Sequence, residues 1–208
     1  MTKFINPLIA TLMLTGAGQV LAASSIDLNV TGLITPSACN PSLSNGGLYD
    51  VGKIAAKDLN TDQPTPLPVH NLQLAITCEA PTLLALEPRD NRPGSAYGDG
   101  QTTRFGLGLI DADKKLGYLQ LHLASILADG AQMYPIASAD SSTWAPTSLL
   151  SHAFFTSFSA DPTALNPAPI QRLTAQVRIS PTIAPANTLP LADEAAIDGS
   201  VTLTMKYL

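Results

Sequence analysis

Charge is scarce in this chain of 208 residues, since only 13% are Asp, Glu, Lys or Arg, and aromatic residues make up 5%. So little Glu, Lys and Arg leaves thin material for the wet sides of helices. Basic clusters are missing and the net charge is −5, which argues against a nucleic-acid partner and against electrostatic binding to anionic lipid. The three histidines, His70, His122 and His152, share no spacing and read as structural or surface residues. There is no G-x-S-x-G, no H-E-x-x-H and no phosphate-cradling glycine loop. The "FGLG" at Phe105–Gly108 is too short for a nucleotide loop and alternates like a strand. No internal repeat or low-complexity tract appears. Catalysis finds no foothold, so the expectation is a non-enzyme without metal or cofactor.

Local carboxylates do not change that. Asp90, Asn91 and Asp99 share a glycine-rich loop but lack the D-x-D-x-D-G order of a calcium loop, so ordinary turn chemistry explains them. Asp111 and Asp113 sit where a hairpin tip is expected, which seldom offers the burial that tunes an acid. Asn29-Val30-Thr31 matches a glycosylation acceptor, a tripeptide that also arises by chance.

What the chain does have begins with a leader. Met1 to Ala22 carries Lys3, an apolar stretch from Pro7 to Gly16, then "GQVLA" with small residues Val20 and Ala22 at peptidase-read positions. Residues 1–22 are expected to be a signal peptide cut after Ala22, with Ala23 the second choice. The stretch is too short to span a bilayer, although an uncleaved anchor is the alternative. No second long apolar run follows, so the mature chain is expected to be exported and soluble.

Two cysteines in an exported chain predict one disulfide, Cys39–Cys78. Closing that loop is worth about 4 kcal/mol in the chain-entropy model. Free thiols or half a metal site are the alternatives, and His70 has no C-x-x-C companion to support the second.

With 17 prolines and 14 glycines, the mature chain reads as short strands joined by turns. Ile26, Leu28, Val30 and Ile34 alternate, with Gly32 filling the remaining slot of their row. "LYDVGKI" reads as an extended piece and "NTDQPTPLP" as a loop. Leu72, Leu74, Ile76 and Cys78 alternate on an inward face, and "TLLALE" forms another strand before a long polar loop from Pro88. "RFGLGLI" and "LGYLQLHLASIL" form a hairpin around Asp111–Lys115, with "LASILADG" compatible with helix as well. "RLTAQVRIS" is a strand through Leu173, Ala175, Val177 and Ile179, followed by a proline-rich connection from Pro181 to Pro190. Val201, Leu203, Met205 and Tyr207 alternate to the chain end. About seven strands with proline-marked corners describe an all-β sandwich.

The leader, the glycine-bearing row ending in "AC", the second cysteine inside a strand and the terminal row with tyrosine second from the end resemble the pilin subunits of chaperone–usher (type 1-like) fimbriae. More narrowly, "LSNGGLYDVGKI", "LAITCEAP" and "RFGLG" look like a fimbrial-like branch related to the β-fimbrial major subunit. One departure concerns a glycine that many such pilins carry where this chain has Ala195; Gly199 lies nearer the end, which leaves the register of the last strand open.

The resemblance implies an incomplete immunoglobulin-like β-sandwich, residues 39–208, completed by a strand from a neighbouring subunit. Residues 23–38 would be the N-terminal extension, with Ile26, Leu28, Val30, Gly32 and Ile34 as the donor row. Val201, Leu203, Met205 and Tyr207 would edge the acceptor groove. The implied partners are a periplasmic chaperone, an outer-membrane usher and neighbouring pilin subunits, and the implied destination is a surface fimbrium contributing to adhesion. Two other classes stay in view. A single-domain minor or tip subunit would bind carbohydrate, with Trp144, Tyr97 and Tyr134 as stacking candidates against a plain packing role. An exported hydrolase is disfavoured because no nucleophile–base pair can be named.

Overall fold

The alternating rows of the sequence become strands in a computed structural model that describes residues 38–208 apart from Asp99. The expected leader over 1–22 and the donor row Ile26, Leu28, Val30, Gly32 and Ile34 lie outside the described residues, as do Asn29 and Asp99. In chain order the strands are β1 (Cys39–Leu43), β2 (Thr65–Pro66), β3 (His70–Thr82), β4 (Leu84–Asp90), β5 (Phe105–Gly106), β6 (Leu109–Ile110) and β7 (Lys114–Lys115). They continue as β8 (Gly117–Ala128), β9 (Ala131–Gln132), β10 (Tyr134–Ser138), β11 (Ala145–Pro146), β12 (Phe155–Ser159), β13 (Ile170–Ile183) and β14 (Val201–Tyr207). Helix among the described residues is confined to short 3-10 turns.

One sheet runs β1–β3–β13–β8–β5, with β2 on β13 and β9 on β8; the other runs β11–β10–β12–β4–β14. Both are antiparallel. Leu74, Ile76, Leu121, Leu123 and Val177 of the first sheet share a buried cluster with Leu84, Leu86 and Phe158 of the second. Two sheets closed face to face over one core make the all-β sandwich that the strand spacing predicts, of the immunoglobulin-like kind that the resemblance implies. The disulfide Cys39–Cys78 is formed, and the two residues lie directly opposite each other in the β1–β3 ladder.

Pattern and structure agree best where alternation is uninterrupted. Leu72, Leu74, Ile76 and Cys78 are all buried in β3, and Leu173, Ala175 and Val177 are buried in β13. The expected hairpin is present: β5 pairs with β8, and β6 pairs with β7 around a tip where Asp111 and Ala112 have φ of 49° and 67°. Two consecutive positive φ values give a type I′ turn, whose twist suits a tight hairpin.

One open alternative is decided and three expectations are corrected. "LASILADG" is strand as far as Ala128, not helix. Its buried row passes from Leu123 to Ile126, a spacing of three that mimics a helix. The cause is a bulge: three steps of β8 oppose two of β13, and Ser125 has φ of 49°, so the extra residue shifts the buried phase by one. "LYDVGKI" forms no regular strand. Thr65 and Pro66 of the expected loop pair briefly with β13, which proline tolerates at an edge. Finally, β4 extends through Pro88 to Asp90 and β13 through Pro181 to Ile183. Pro181 still offers its carbonyl, which accepts from the Leu67 N–H at 2.9 Å.

Gly117 shows where a missing side chain is structural. A Cβ there would collide with the Thr182 carbonyl oxygen and come within 3.0 Å of Ile183 Cα. Backbone on the neighbouring strand cannot swing aside as a side chain would. Gly117→Ala is expected to lower the unfolding free energy by about 1–3 kcal/mol, read as an earlier urea midpoint at unchanged slope.

His122 sits opposite Arg178 on the outer face of the first sheet. Burial, and then the Arg178 charge, push its imidazole below the ordinary value. The folded pKa therefore lies under the unfolded one of about 6.5. Stability should be intact above that pH and should decline as pH falls through the folded value, because the unfolded chain takes up the proton first. Urea midpoints measured downward from pH 7 should show this decline, and His122→Gln should flatten it.

Candidate functional site

The last strand is half finished as a sandwich wall. Strand β14 pairs along its whole length with β4, from Val201 opposite Asp90 to Tyr207 opposite Leu84. Among the described residues it has no strand on its other side. Its inward row shows the consequence. Leu84 and Leu86 of β4 are 0% exposed, whereas Val201, Leu203 and Met205, one strand over on the same face, are only half-buried against that core. No strand among the described residues covers them on that side.

The opposite lip comes from the first sheet. Its edge strand β1 also carries half-buried Cys39 and Leu43 on the core side. The two edges meet at one end, where the Cys39 N–H donates to the Tyr207 hydroxyl at 3.1 Å. Beyond that contact they part around an apolar cleft of about 240 Å³ whose walls include Leu43, Val51, Val201 and Leu203 and whose floor includes Leu107, Leu119 and Leu121. A second cleft of about 660 Å³ shares Asp50, Val51 and Ile197 with the first, so the two form one groove. Ile54, Leu59 and Leu191 add apolar surface to the second part, and the Lys53–Glu194 pair joins its rims at 3.2 Å.

Several contacts hold this lip in place. Arg92 donates to both carboxylate oxygens of Asp198, at 2.7 and 2.8 Å. The guanidinium keeps the Asp198 carboxyl below its usual range, against a smaller opposing effect of desolvation. Next comes Gly199, where a Cβ would lie 2.7 Å from a Leu107 methyl and 2.8 Å from a Leu119 methyl. Its bare backbone thus lets the chain settle onto the groove floor. Asn91 then donates to the hydroxyls of Ser200 and Thr202 at 3.0 and 2.9 Å.

The four residues expected at the groove divide by role. Val201 and Leu203 line the cleft, Met205 packs on the core below it, and Tyr207, 38% exposed, closes the end through its hydroxyl. Leu43, Val51, Ile197 and Gly199 also line it, and sequence reasoning missed the first three as wall residues. Leu43 was findable: counting along β1 from Cys39 places it on the same face. Val51 and Ile197 stand in segments without periodicity and carried no such signal. Ala195 lines the second cleft, so the glycine at close quarters in this chain is Gly199.

Other candidates scatter. His70 stacks on Tyr49 at 4.5 Å, and His152 meets Phe105 edge-on at 5.9 Å. Asp90 accepts from the Arg92 and Gly106 N–H groups at 2.8 and 3.0 Å, and Asp113 pairs with Lys114 at the hairpin tip. The three aromatic stacking candidates share no platform. Tyr97 packs on the core from a loop, while Tyr134 begins β10 and Trp144 lies beyond that strand's far end, before β11. Among the described residues no three His, Cys, Asp or Glu side chains gather as a metal site would require.

Comparison with known proteins places similarity over this same body. A family model described as a protein of unknown function, DUF1120, matches residues 28–113. The chain is 28% identical to the uncharacterized protein YhcF of Escherichia coli (strain K12), over 92% of this chain and 93% of that protein. It is 29% identical to protein GltF of the same organism, over 92% of each.

Proposed function

We propose that this chain is a structural subunit of a surface fibre that assembles by strand donation. Residues 24–35 of one copy occupy the groove beside β14 of the next. The carrying observation is the half-buried row Val201, Leu203 and Met205 on a sheet edge that is free among the described residues, above an apolar cleft.

Energetics favour such an exchange. Four aliphatic side chains, Ile26, Leu28, Val30 and Ile34, contribute about 6–12 kcal/mol of gross transfer when buried. Backbone hydrogen bonds to the free edge add ~0.5–1.5 kcal/mol each, as in strand addition generally. Ordering a free tail costs ~1–2 kcal/mol per residue, so the segment gains only where a groove is already built. On this reading a chaperone fills the groove first, an outer-membrane usher receives the subunit, and the chain passes through the periplasm to the cell surface. Its task is mechanical and adhesive, without catalysis or cofactor.

A synthetic peptide covering Ser24–Thr35 tests this directly. The mature chain lacking that segment should take up the peptide and gain heat stability. A Gly32→Leu peptide should exchange more slowly, because a side chain added in a packed row typically costs ~1–3 kcal/mol. If neither peptide is taken up, strand donation into this groove is wrong. If both are taken up equally, Gly32 meets no close wall.

A further inference from the structure

We infer that successive copies of this chain also touch end to end, through two apolar patches at opposite poles of the sandwich; this rests on the strand-donation reading above. Among the described residues, five of the eight large apolar side chains that stand exposed lie at these poles. At one pole are Leu83, Tyr207 and Leu208, exposed by 39%, 38% and 42%. The Leu208 N–H donates to the Leu83 carbonyl at 3.1 Å, and Tyr207 accepts from Cys39. At the other pole are Leu48, 66% exposed, and Val69, 50% exposed. Their two segments are held together by the Tyr49–His70 stack and by the Tyr49 hydroxyl, which donates to the Pro68 carbonyl at 2.8 Å.

Strand direction shows that these are opposite ends. The 13 residues of β3 run from His70, beside Val69, to Thr82, beside Leu83. At about 3.3 Å per residue that is roughly 40 Å.

Groove geometry then sets the polarity of assembly. The end of the groove at Tyr207 is closed by the Cys39 hydrogen bond. A donor strand must continue into its own folded body, so that body can hang only from the open end. The donor then runs antiparallel to β14, the more stable pairing. Its Ile34 emerges near the pole of Leu48 and Val69. Only Thr35–Ala38 separate Ile34 from Cys39, and four extended residues span at most about 14 Å. The incoming copy's pole of Leu83, Tyr207 and Leu208 is therefore pressed against the acceptor's pole of Leu48 and Val69. Two unlike patches meeting in this way form a heterologous contact that repeats without closing, which builds a filament.

Val69→Cys and Leu83→Cys, each introduced in the full-length chain with its native disulfide, test the contact by oxidative cross-linking. Mixing the two single variants should give covalent heterodimers joined 69 to 83. The double variant should give a ladder, and each single variant alone should remain uncrosslinked. Homodimers through 69–69 or 83–83 in place of the mixed product would overturn the polarity. Absence of any cross-link, with uptake of the Ser24–Thr35 peptide intact, would overturn the end-to-end contact and leave strand donation standing. Loss of peptide uptake would overturn both.

Discussion

Replacing Cys39 and Cys78 together by serine is expected to lower the unfolding free energy by about 2–5 kcal/mol and to reduce sharply the yield of exported protein. The size follows from what the bridge joins. Strand β1 contributes only Cys39–Leu43 to its sheet and, among the described residues, pairs with β3 alone. Of its five residues, three are exposed and two half-buried, so little apolar burial holds it. The disulfide fastens this edge to Cys78 at the end of the buried β3 row, two residues from Ile76, which is 0% exposed. In the open chain the same bridge removes the freedom of a 39-residue separation, which raises the free energy of the unfolded state. Without it, the lip of the groove opposite β14 loses its anchor. Urea unfolding of purified wild-type and doubly substituted protein measures the effect. A midpoint unchanged by the substitution would show that the β1–β3 ladder suffices alone.

Leu203→Asp is expected to abolish uptake of the Ser24–Thr35 segment while the body stays folded. In the free subunit Leu203 is half-buried at the groove wall, so a carboxylate there keeps part of its water. Filling the groove would seal that carboxylate among the donor's apolar side chains. Stripping an unpaired charge of water costs several kcal/mol, enough to offset most of the gain from the donor row. Thr202→Asp is the control. It places the same charge on the outer face of β14, opposite Arg89, where a carboxylate can still accept from Asn91 as the Thr202 hydroxyl does, and should leave uptake unchanged. Circular dichroism establishes folding for both variants, and binding of a fluorescent peptide reads the groove. Equal uptake by the two variants would remove the groove from the account.

Much of the fold was legible because strand alternation is a local property. A residue two positions from a buried one in an unbroken strand is itself turned inward, whatever the strand pairs with. Hence the faces of β3 and β13, the inward turn of Cys78 and the hairpin around Asp111 could be read from neighbouring residues alone. The same rule failed at Ser125, where one inserted residue shifted the phase and imitated a helix. It failed again at Pro66 and Pro181, where tolerance of proline depends on which edge faces a partner.

The sequence by itself determined an all-β chain, the faces of its long strands, its one cysteine pair and the apolar row from Val201 to Tyr207. Alternation states which way a side chain points, and it is silent on whether another strand stands beside it. Tertiary structure decided that β14 is an edge among the described residues, that Leu43, Val51 and Ile197 complete a groove with it, and that Tyr207 closes one end of that groove. Those facts depend on segments separated by more than a hundred residues, brought together by the pairing of β3 with β13 and of β4 with β14. Burial is a property of such distant neighbours, which is why the open edge became visible only when the sheets were assembled.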